Sequence, residues 1–172
     1  MNDVRNMQQA FKAVNDFEGH AQGTISYTTS PVHDIKGWVD LSLKLQDLGA
    51  QSLAIKDMAG LLRPQVCFNL VKKLKANLNI PIHIHTHSTT GLADATNFKA
   101  YEAGVDNIDT SISSFSNLYA HTATESLISM LYDNENNPYD MKLLTQISEH
   151  FHNIRPDYET YEGSMKGVDI NM

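Results

Sequence analysis

Strand-like and helix-like segments alternate along the chain with a regular period, and this alternation constrains the fold more than any other feature of the sequence. Four strand candidates begin near Ala21, Ser52, Pro81 and Asn107, roughly 25 to 30 residues apart, and each is followed by a helical segment. A repeated βα unit predicts a parallel sheet, because the chain must cross back over the sheet between parallel strands. A length of 172 residues is enough for one domain of ordinary size.

The period is typical of a TIM barrel, whose eight units need about 250 residues, but this chain has four complete units and opens on a helix. The predicted strands are Ala21–Tyr27, Ser52–Lys56, Ile82–Thr86 and Asn107–Ile112. The predicted helices are Asp3–Phe17, His33–Leu48, Arg63–Leu78, Leu92–Ala103, Thr122–Tyr132 and Tyr139–Asn153, followed by an irregular tail. An open doubly wound sheet would be complete at this length, but the sequence has no GxGxxG or Walker-type phosphate loop.

The composition argues against several classes of partner. The net charge is -7, and no basic block stands out beyond Lys72 to Lys75, so nucleic acid is not an expected partner. No segment approaches the roughly 18 apolar residues of a membrane span, and the N-terminus is too polar for a signal peptide, so we expect a cytoplasmic protein without direct membrane insertion. The single cysteine, Cys67, excludes an intrachain disulfide and a multi-cysteine zinc site.

A histidine-rich stretch from Pro81 to Gly91, PIHIHTHSTTG, is the strongest chemical signal in the sequence. His83, His85 and His87 occupy every second position, so a strand points all three imidazoles to one face. Imidazole is the commonest protein ligand for a transition metal. Lys56 and Asp57 end the preceding strand at the same edge of the sheet, about 4.8 Å away if the two strands are neighbours.

Several motifs in fixed order resemble the carboxyltransferase domain of biotin-dependent enzymes, which include the oxaloacetate decarboxylase alpha subunit, the transcarboxylase 5S subunit and pyruvate carboxylase. The motifs read GTISYTTSPVH from Gly23, AIKDMAGLLRP from Ala54, HIHTHSTTG from His83 and VDNIDTSISSFS from Val105. The shorter matches ATESL, EHFHNIRPDY and YEGSMKGVD extend the resemblance nearly from end to end. The STTG sequence is closer to the decarboxylase and transcarboxylase branch than to the pyruvate carboxylases.

The resemblance implies a TIM-barrel fold in which residues 1–172 form a partial carboxyltransferase domain, the second half of the barrel. It implies a divalent metal, zinc, cobalt or manganese, bound by His85, His87 and a Lys56 that is carboxylated on its amine. The implied reaction is carboxyl transfer or decarboxylation of a 2-oxo acid such as oxaloacetate, with pyruvate as product, through a metal-stabilised enolate. Biotin is expected on a separate carrier domain or subunit.

Other site residues follow less directly from the resemblance. Met58 is expected to line the site, Ser26 to face the substrate, and Thr124, or its neighbour Thr122, to correspond to the biotin-exchange threonine of pyruvate carboxylases. Family members have a further aspartate ligand, and substrate-binding glutamine and arginine, on early strands with no counterpart here. We therefore expect an incomplete fragment, inactive alone, that forms oligomers because a half-barrel exposes edges and an apolar face.

The remaining candidates divide between structural and supporting roles. We expect His83 to be a barrel-core side chain, and Asp57 and Asp109 either to orient ligands or to cap turns. The histidines expected at the surface are His20, His33, His121, His150 and His152. The alternative functions are a metal-dependent lyase or aldolase that shares the HxH site, and a non-catalytic fragment.

Overall fold

A single parallel sheet forms the centre of the protein, and the computed structural model describes residues 3–133, 135–163 and 167–170. The strands are β1 Gln22–Ser26, β2 Ser52–Asp57, β3 Ile82–Thr86 and β4 Asn107–Ile108. The helices are α1 Val4–Asp16, α2 Ile35–Asp47, α3 Pro64–Asn77, α4 Ala93–Glu102, α5 Thr124–Leu131 and α6 Met141–Ile154. Two 3-10 helices span Ser113–Phe115 and Arg155–Tyr161.

The four strands lie in the sheet in the order in which they occur in the chain, and every neighbouring pair is parallel. A sequential order suits a barrel, whereas the order in a doubly wound sheet reverses at a switch point. The prediction of a parallel α/β half-barrel with about four βα units and a C-terminal helix is confirmed. Among the described residues, no helix is both long and apolar enough to cross a membrane.

The fourth strand is much shorter than predicted. Only Asn107–Ile108 pair with β3, and the predicted strand from 109 to 112 is wrong. Hydroxyl and carboxylate groups dominate this segment and favour local hydrogen bonds over a strand ladder. The backbone N–H of Ser113 donates to the Glu125 carboxylate, and Ser111 forms one isolated parallel bridge with Ala123.

The start of α5 and the C-terminal segment also differ from the prediction. The helix predicted to begin at Thr122 begins at Thr124 instead, and Ala123 is extended and pairs with Ser111. The segment after α6, expected to be irregular, forms the 3-10 helix Arg155–Tyr161 with a proline in its first turn. The backbone of a proline is suited to that position.

Aspartates begin three of the helices. The side chains of Asp3, Asp34 and Asp140 accept hydrogen bonds from backbone N–H groups in the first turns of α1, α2 and α6. Such caps satisfy donors that the helix itself leaves unpaired. Gly49 and Gly104 follow α2 and α4 with φ angles of 98° and 90°, as the sequence predicts for glycines that end helices.

The two faces of the sheet differ in polarity. On the outer face, Leu53, Ile55, Ile82 and Ile84 are fully buried, and the buried side chains of α2, α3 and α4 join them in one core. Burial of each such side chain contributes about 1.5–3 kcal/mol. Cys67 is fully buried in this core, and its burial raises the pKa of its thiol to about 12.

The inner face carries the polar residues because strand side chains alternate in direction. Each of β1, β2 and β3 contributes a half-buried side chain near its carboxyl end on this face: Ser26, Lys56 and His85. Burial of the outer face against helices therefore leaves the inner face to present the chemically active groups.

Asp57 connects the loop that follows β2 with the end of β3 through hydrogen bonds. Its fully buried carboxylate accepts hydrogen bonds from the backbone N–H groups of Leu61 at 2.9 Å and Leu62 at 2.8 Å, and from the Thr86 hydroxyl at 3.0 Å. Of the two roles expected for Asp57, the structure shows the turn-capping one. The carboxylate holds the end of β2 and the end of β3 in one rigid arrangement.

Gly60 lies where this loop contacts the loop after β3. Its φ is 66°, and a Cβ atom there would lie 2.7 Å from the backbone oxygen of His87 and 2.9 Å from the Thr90 hydroxyl. The Thr90 hydroxyl donates to the Gly60 carbonyl at 2.6 Å. Only glycine combines this backbone conformation with so close an approach.

We expect Gly60→Ala to lower the free energy of unfolding more than Gly104→Ala does. Both positions have positive φ, which costs a side chain about 1–2 kcal/mol. Only at Gly60 would the added Cβ also clash with neighbouring atoms, since nothing lies within 4 Å of a Cβ at Gly104. Urea denaturation of both variants measures the difference, and equal losses would show that the loop contact contributes nothing.

Candidate metal centre

The sheet register aligns three predicted site residues in one row. Ser26 pairs with Lys56, and Lys56 pairs with His85. Register partners in parallel strands point to the same face, about 4.8 Å apart. Ile84 pairs with Ile108, so Asp109 lies next to His85 at the far end of the row.

Three imidazoles converge beyond this row. The candidate ligand nitrogens of His85, His87 and His121 all lie within 4.8 Å of one another. The ring centroids are 5.2 Å apart for His85 and His87, 4.4 Å for His85 and His121, and 4.6 Å for His87 and His121. The predicted surface position of His121 is wrong, because the side chain is half-buried against the two predicted ligands.

The hydrogen bonds of these rings fix which nitrogen carries the proton. Nδ1 of His121 bonds the Thr86 carbonyl at 2.8 Å, and Nδ1 of His87 bonds the Tyr119 carbonyl. A carbonyl only accepts, so both Nδ1 atoms are donors, and in the neutral rings Nε2 keeps its lone pair. Metal-ligating histidines characteristically donate their other ring N–H to a carbonyl or carboxylate in this way.

Asp109 provides the corresponding anchor for His85. Its two carboxylate oxygens each accept one hydrogen bond, from His85 Nδ1 at 2.6 Å and from His83 Nε2 at 2.6 Å. Burial by itself would raise the pKa of Asp109, but the hydrogen bonds from His85 and His83 outweigh it and hold this pKa below its usual value. Of the two roles expected for Asp109, the structure shows the orientation of a predicted ligand.

His83 contributes to the same network instead of a purely apolar core. Its Nε2 donates to Asp109, and its Nδ1 lies 3.3 Å from the side-chain amide nitrogen of Gln22, which can only donate. The half-buried His83 ring thus connects β1 to the anchor of His85.

The electrostatic surroundings favour a neutral His121. Burial is the largest influence and lowers the pKa of His121, and the neighbouring His85 and His87 lower it further. The hydrogen bond to Thr86 and the charge of Asp109 oppose this shift without overcoming it. A neutral ring leaves the Nε2 lone pair available at neutral pH.

The donor set fits a divalent transition metal. Imidazole nitrogens suit zinc and cobalt, with zinc–nitrogen distances of about 2.0–2.1 Å, and tetrahedral geometry then separates the nitrogens by about 3.4 Å. Rings whose nitrogens lie within 4.8 Å of one another need to approach by about 1.4 Å or less to hold such an ion. The half-buried Lys56 is adjacent, and no described residue hydrogen-bonds its amine.

The other predicted site residues lie outside this cluster. Met58 is 62% exposed in the turn after β2. The Thr124 hydroxyl donates to Thr110 Oγ1 at 2.9 Å, and the cavity that Thr124 lines between α4, α5 and α6 contains none of the histidines. Thr122 is fully buried and accepts a hydrogen bond from Asn97 at 2.9 Å. Their predicted roles stay predictions.

Known proteins resemble this chain over most of its length. A family profile described as HMGL-like matches residues 2–153. The methylmalonyl-CoA carboxyltransferase 5S subunit of Propionibacterium freudenreichii subsp. shermanii is 47% identical over 168 residues, which cover 94% of this chain and 33% of that protein. A pyruvate carboxylase subunit of Methanocaldococcus jannaschii is 42% identical over 160 residues, 92% of this chain and 28% of that protein.

A solved structure also resembles nearly the whole of this chain. The carboxyl transferase domain of Rhizobium etli pyruvate carboxylase, determined with pyruvate and biocytin, superposes with a TM-score of 0.94 at 32% sequence identity. The superposition covers 98% of this chain and 30% of the other. The chain therefore spans about a third or less of the length of these relatives.

Asp109→Asn tests the anchor of His85. We expect zinc affinity to fall about 10-fold to 100-fold, the usual effect of losing a partner that orients a metal-ligating histidine. Isothermal titration with zinc measures it. Asp106→Asn is the matched control, because Asp106 also accepts hydrogen bonds, from Lys75 and Ile82, at the opposite end of β4. Equal affinities in both variants would mean that Asp109 does not support the site.

Proposed function

This chain belongs to the HMGL-like family, and from that membership and its histidine cluster we propose that it is the metal-binding part of a biotin-dependent carboxyltransferase barrel. The predicted resemblance to carboxyltransferase domains is confirmed by the 47% identity to a carboxyltransferase 5S subunit. The observation that carries the proposal is the convergence of His85, His87 and His121 beside Lys56. Lys56 lies near the carboxyl end of β2, and His85 and His87 lie at the carboxyl end of β3, where barrel enzymes place their active sites.

The proposed substrate is a 2-oxo acid, oxaloacetate or pyruvate, and biotin on a separate carrier exchanges the carboxyl group. The support is that one relative is named as a carboxyltransferase and another as a pyruvate carboxylase, together with the solved domain that contains pyruvate and biocytin. A cytoplasmic location and association into oligomers are part of the same proposal.

The proposed chemistry balances without an external oxidant or reductant. In the decarboxylating direction, the bond between the methylene carbon of oxaloacetate and its adjacent carboxyl carbon breaks, and the electron pair stays as the enolate of pyruvate. The carboxyl group bonds to the biotin ring nitrogen, and the proton of that nitrogen ends on the methylene carbon. A divalent metal, when bound, supplies a Lewis acid for the keto oxygen.

In this scheme Lys56 acts after carboxylation of its amine. The ammonium group loses one proton, and the resulting neutral amine adds to carbon dioxide and gives up a second proton, so an anionic oxygen donor replaces a cation. Register pairing with His85 puts this donor beside the histidines, and no described residue hydrogen-bonds the amine.

The remaining predicted residues have supporting roles in the proposal. Ser26 is the register partner of Lys56 and faces the same space, so it is proposed to contact the substrate. Met58 is proposed to line the entrance from the turn after β2. Thr124 is proposed as the threonine that exchanges a proton with biotin, a role that requires its hydroxyl to leave Thr110.

A chimera in which this chain replaces the matching third of the 5S protein tests the function. Because barrel sites draw groups from several strands, we expect the isolated chain to release no pyruvate from oxaloacetate above background, and the chimera to do so with biotin. Lys56→Ala in the chimera should reduce the rate about 100-fold or more, as loss of a well-placed group does. A lactate dehydrogenase-coupled assay measures pyruvate.

The surface variant Lys72→Ala is the control for the chimera. If Lys56→Ala retains full biotin-dependent activity, Lys56 has no part in the reaction. Pyruvate release that does not require biotin would favour the lyase alternative instead.

Carboxylation of Lys56 can be detected directly as a carbamate. Carbon-13 NMR of the zinc-loaded chain in labelled bicarbonate should show a carbamate resonance, because carbon dioxide reacts with a neutral amine that the metal then captures as an anion. The resonance should be missing from Lys56→Ala and present in Lys72→Ala. A carbamate resonance that persists in Lys56→Ala would assign the modification to another amine.

A further inference from the structure

We propose that His121 is a third imidazole ligand, and that His85, His87 and His121 hold a divalent ion even when Lys56 is not carboxylated. The inference rests on the proposed function only in taking the same metal site as its subject. It goes beyond the ligand set expected from the sequence, which combined Lys56 with two histidines.

The loop that carries His121 is held in one conformation. Asn117 and Leu118 have φ angles of 67° and 50°, which are unfavourable for residues with side chains. Two backbone hydrogen bonds close the loop, from Asn117 to the His121 carbonyl and from Ala120 to the Asn117 carbonyl, both at 2.8 Å. The backbone N–H of Ser88 donates to the Ala120 carbonyl at 2.8 Å and joins the loop to the segment after β3.

The two loops also orient each other's histidines. Tyr119, two residues before His121, supplies the carbonyl that receives Nδ1–H of His87. In return, Thr86, adjacent to His87 in sequence, supplies the carbonyl that receives Nδ1–H of His121. Both rings are therefore fixed with Nε2 as the atom that remains for a ligand.

If Nε2 of His121 also had a hydrogen-bond partner in the protein, a purely structural role would explain this residue. Within the described ranges, the hydrogen bonds of His85, His87 and His121 all use Nδ1, and none uses Nε2. Each of the three neighbouring rings donates through Nδ1, so in its neutral form each presents an Nε2 lone pair, and the candidate ligand nitrogens lie within 4.8 Å of one another. The shared arrangement points to one common ligand, an ion that accepts three lone pairs.

A site with three neutral imidazoles leaves the full charge of a divalent metal and one open position. Catalytic zinc sites commonly have three protein ligands with the fourth position open for water or substrate. A carboxylated Lys56 would then add an anionic donor to a site that is already occupied. With His121 as a third ligand, binding of the metal does not require carboxylation of Lys56.

Zinc titration in bicarbonate-free buffer tests His121 directly. We expect His121→Ala and His121→Gln to lose about 10-fold to 100-fold or more in affinity, at least as much as loss of an orienting partner costs. The exposed-surface control His150→Ala should bind as the wild type does. The Gln variant keeps an amide N–H that can donate to the Thr86 carbonyl. A loss of zinc affinity shared by both variants therefore reports the missing nitrogen ligand. Thermal unfolding of the metal-free proteins is the control for folding.

Visible absorption of the cobalt-loaded proteins gives a second readout, since its bands depend on the number of nitrogen ligands. His121→Gln should change the spectrum, and His150→Ala should not. Unchanged zinc affinity and an unchanged cobalt spectrum in both His121 variants overturn the inference, and a parallel loss in His85→Ala and His87→Ala would then leave the proposed function standing. Unchanged affinity in all of these variants would refute the metal site as a whole.

Discussion

The register of β2 against β3 is the constraint on which the rest of the structure depends. It pairs Ile55 with Ile84 on the face covered by helices, and Lys56 with His85 on the opposite face. A slip of one residue would bury the polar side chains and expose the apolar ones, so the hydrophobic core itself enforces the alignment of the site. The core and the candidate metal centre are thus two faces of one arrangement.

The orientation of the three candidate ligand histidines depends on the hydrogen-bond acceptors around them. One carboxylate, Asp109, and two backbone carbonyls, at Thr86 and Tyr119, determine how the three candidate ligand rings are turned. Burying Asp109 is unfavourable by itself, and its hydrogen bonds to His83 and His85 offset that effect. Polar groups of this kind are stable in a half-buried position because each has a partner.

Sequence reasoning was most successful where the determining interactions are local. The βα period located the strands, and the HxH and KDM motifs placed Lys56, His85 and His87 at strand ends. The β4 ladder ended at Ile108, earlier than β-propensity suggested, and the next residues use side-chain hydrogen bonds: Asp109 accepts from His83 and His85, and Thr110 accepts from Thr124. Competition between side-chain hydrogen bonds and a strand ladder is difficult to read from propensity alone.

The sequence by itself determined the parallel half-barrel, the edge at which its chemistry lies and the family to which it belongs. Only the tertiary structure decided that His121 joins the two motif histidines, that Asp109 bridges His83 and His85, and that Asp57 serves the turn. The physical reason is distance along the chain. Periodicity and motifs report interactions among near neighbours, whereas these contacts join strand ends and loops through hydrogen bonds that form only when the sheet has aligned them.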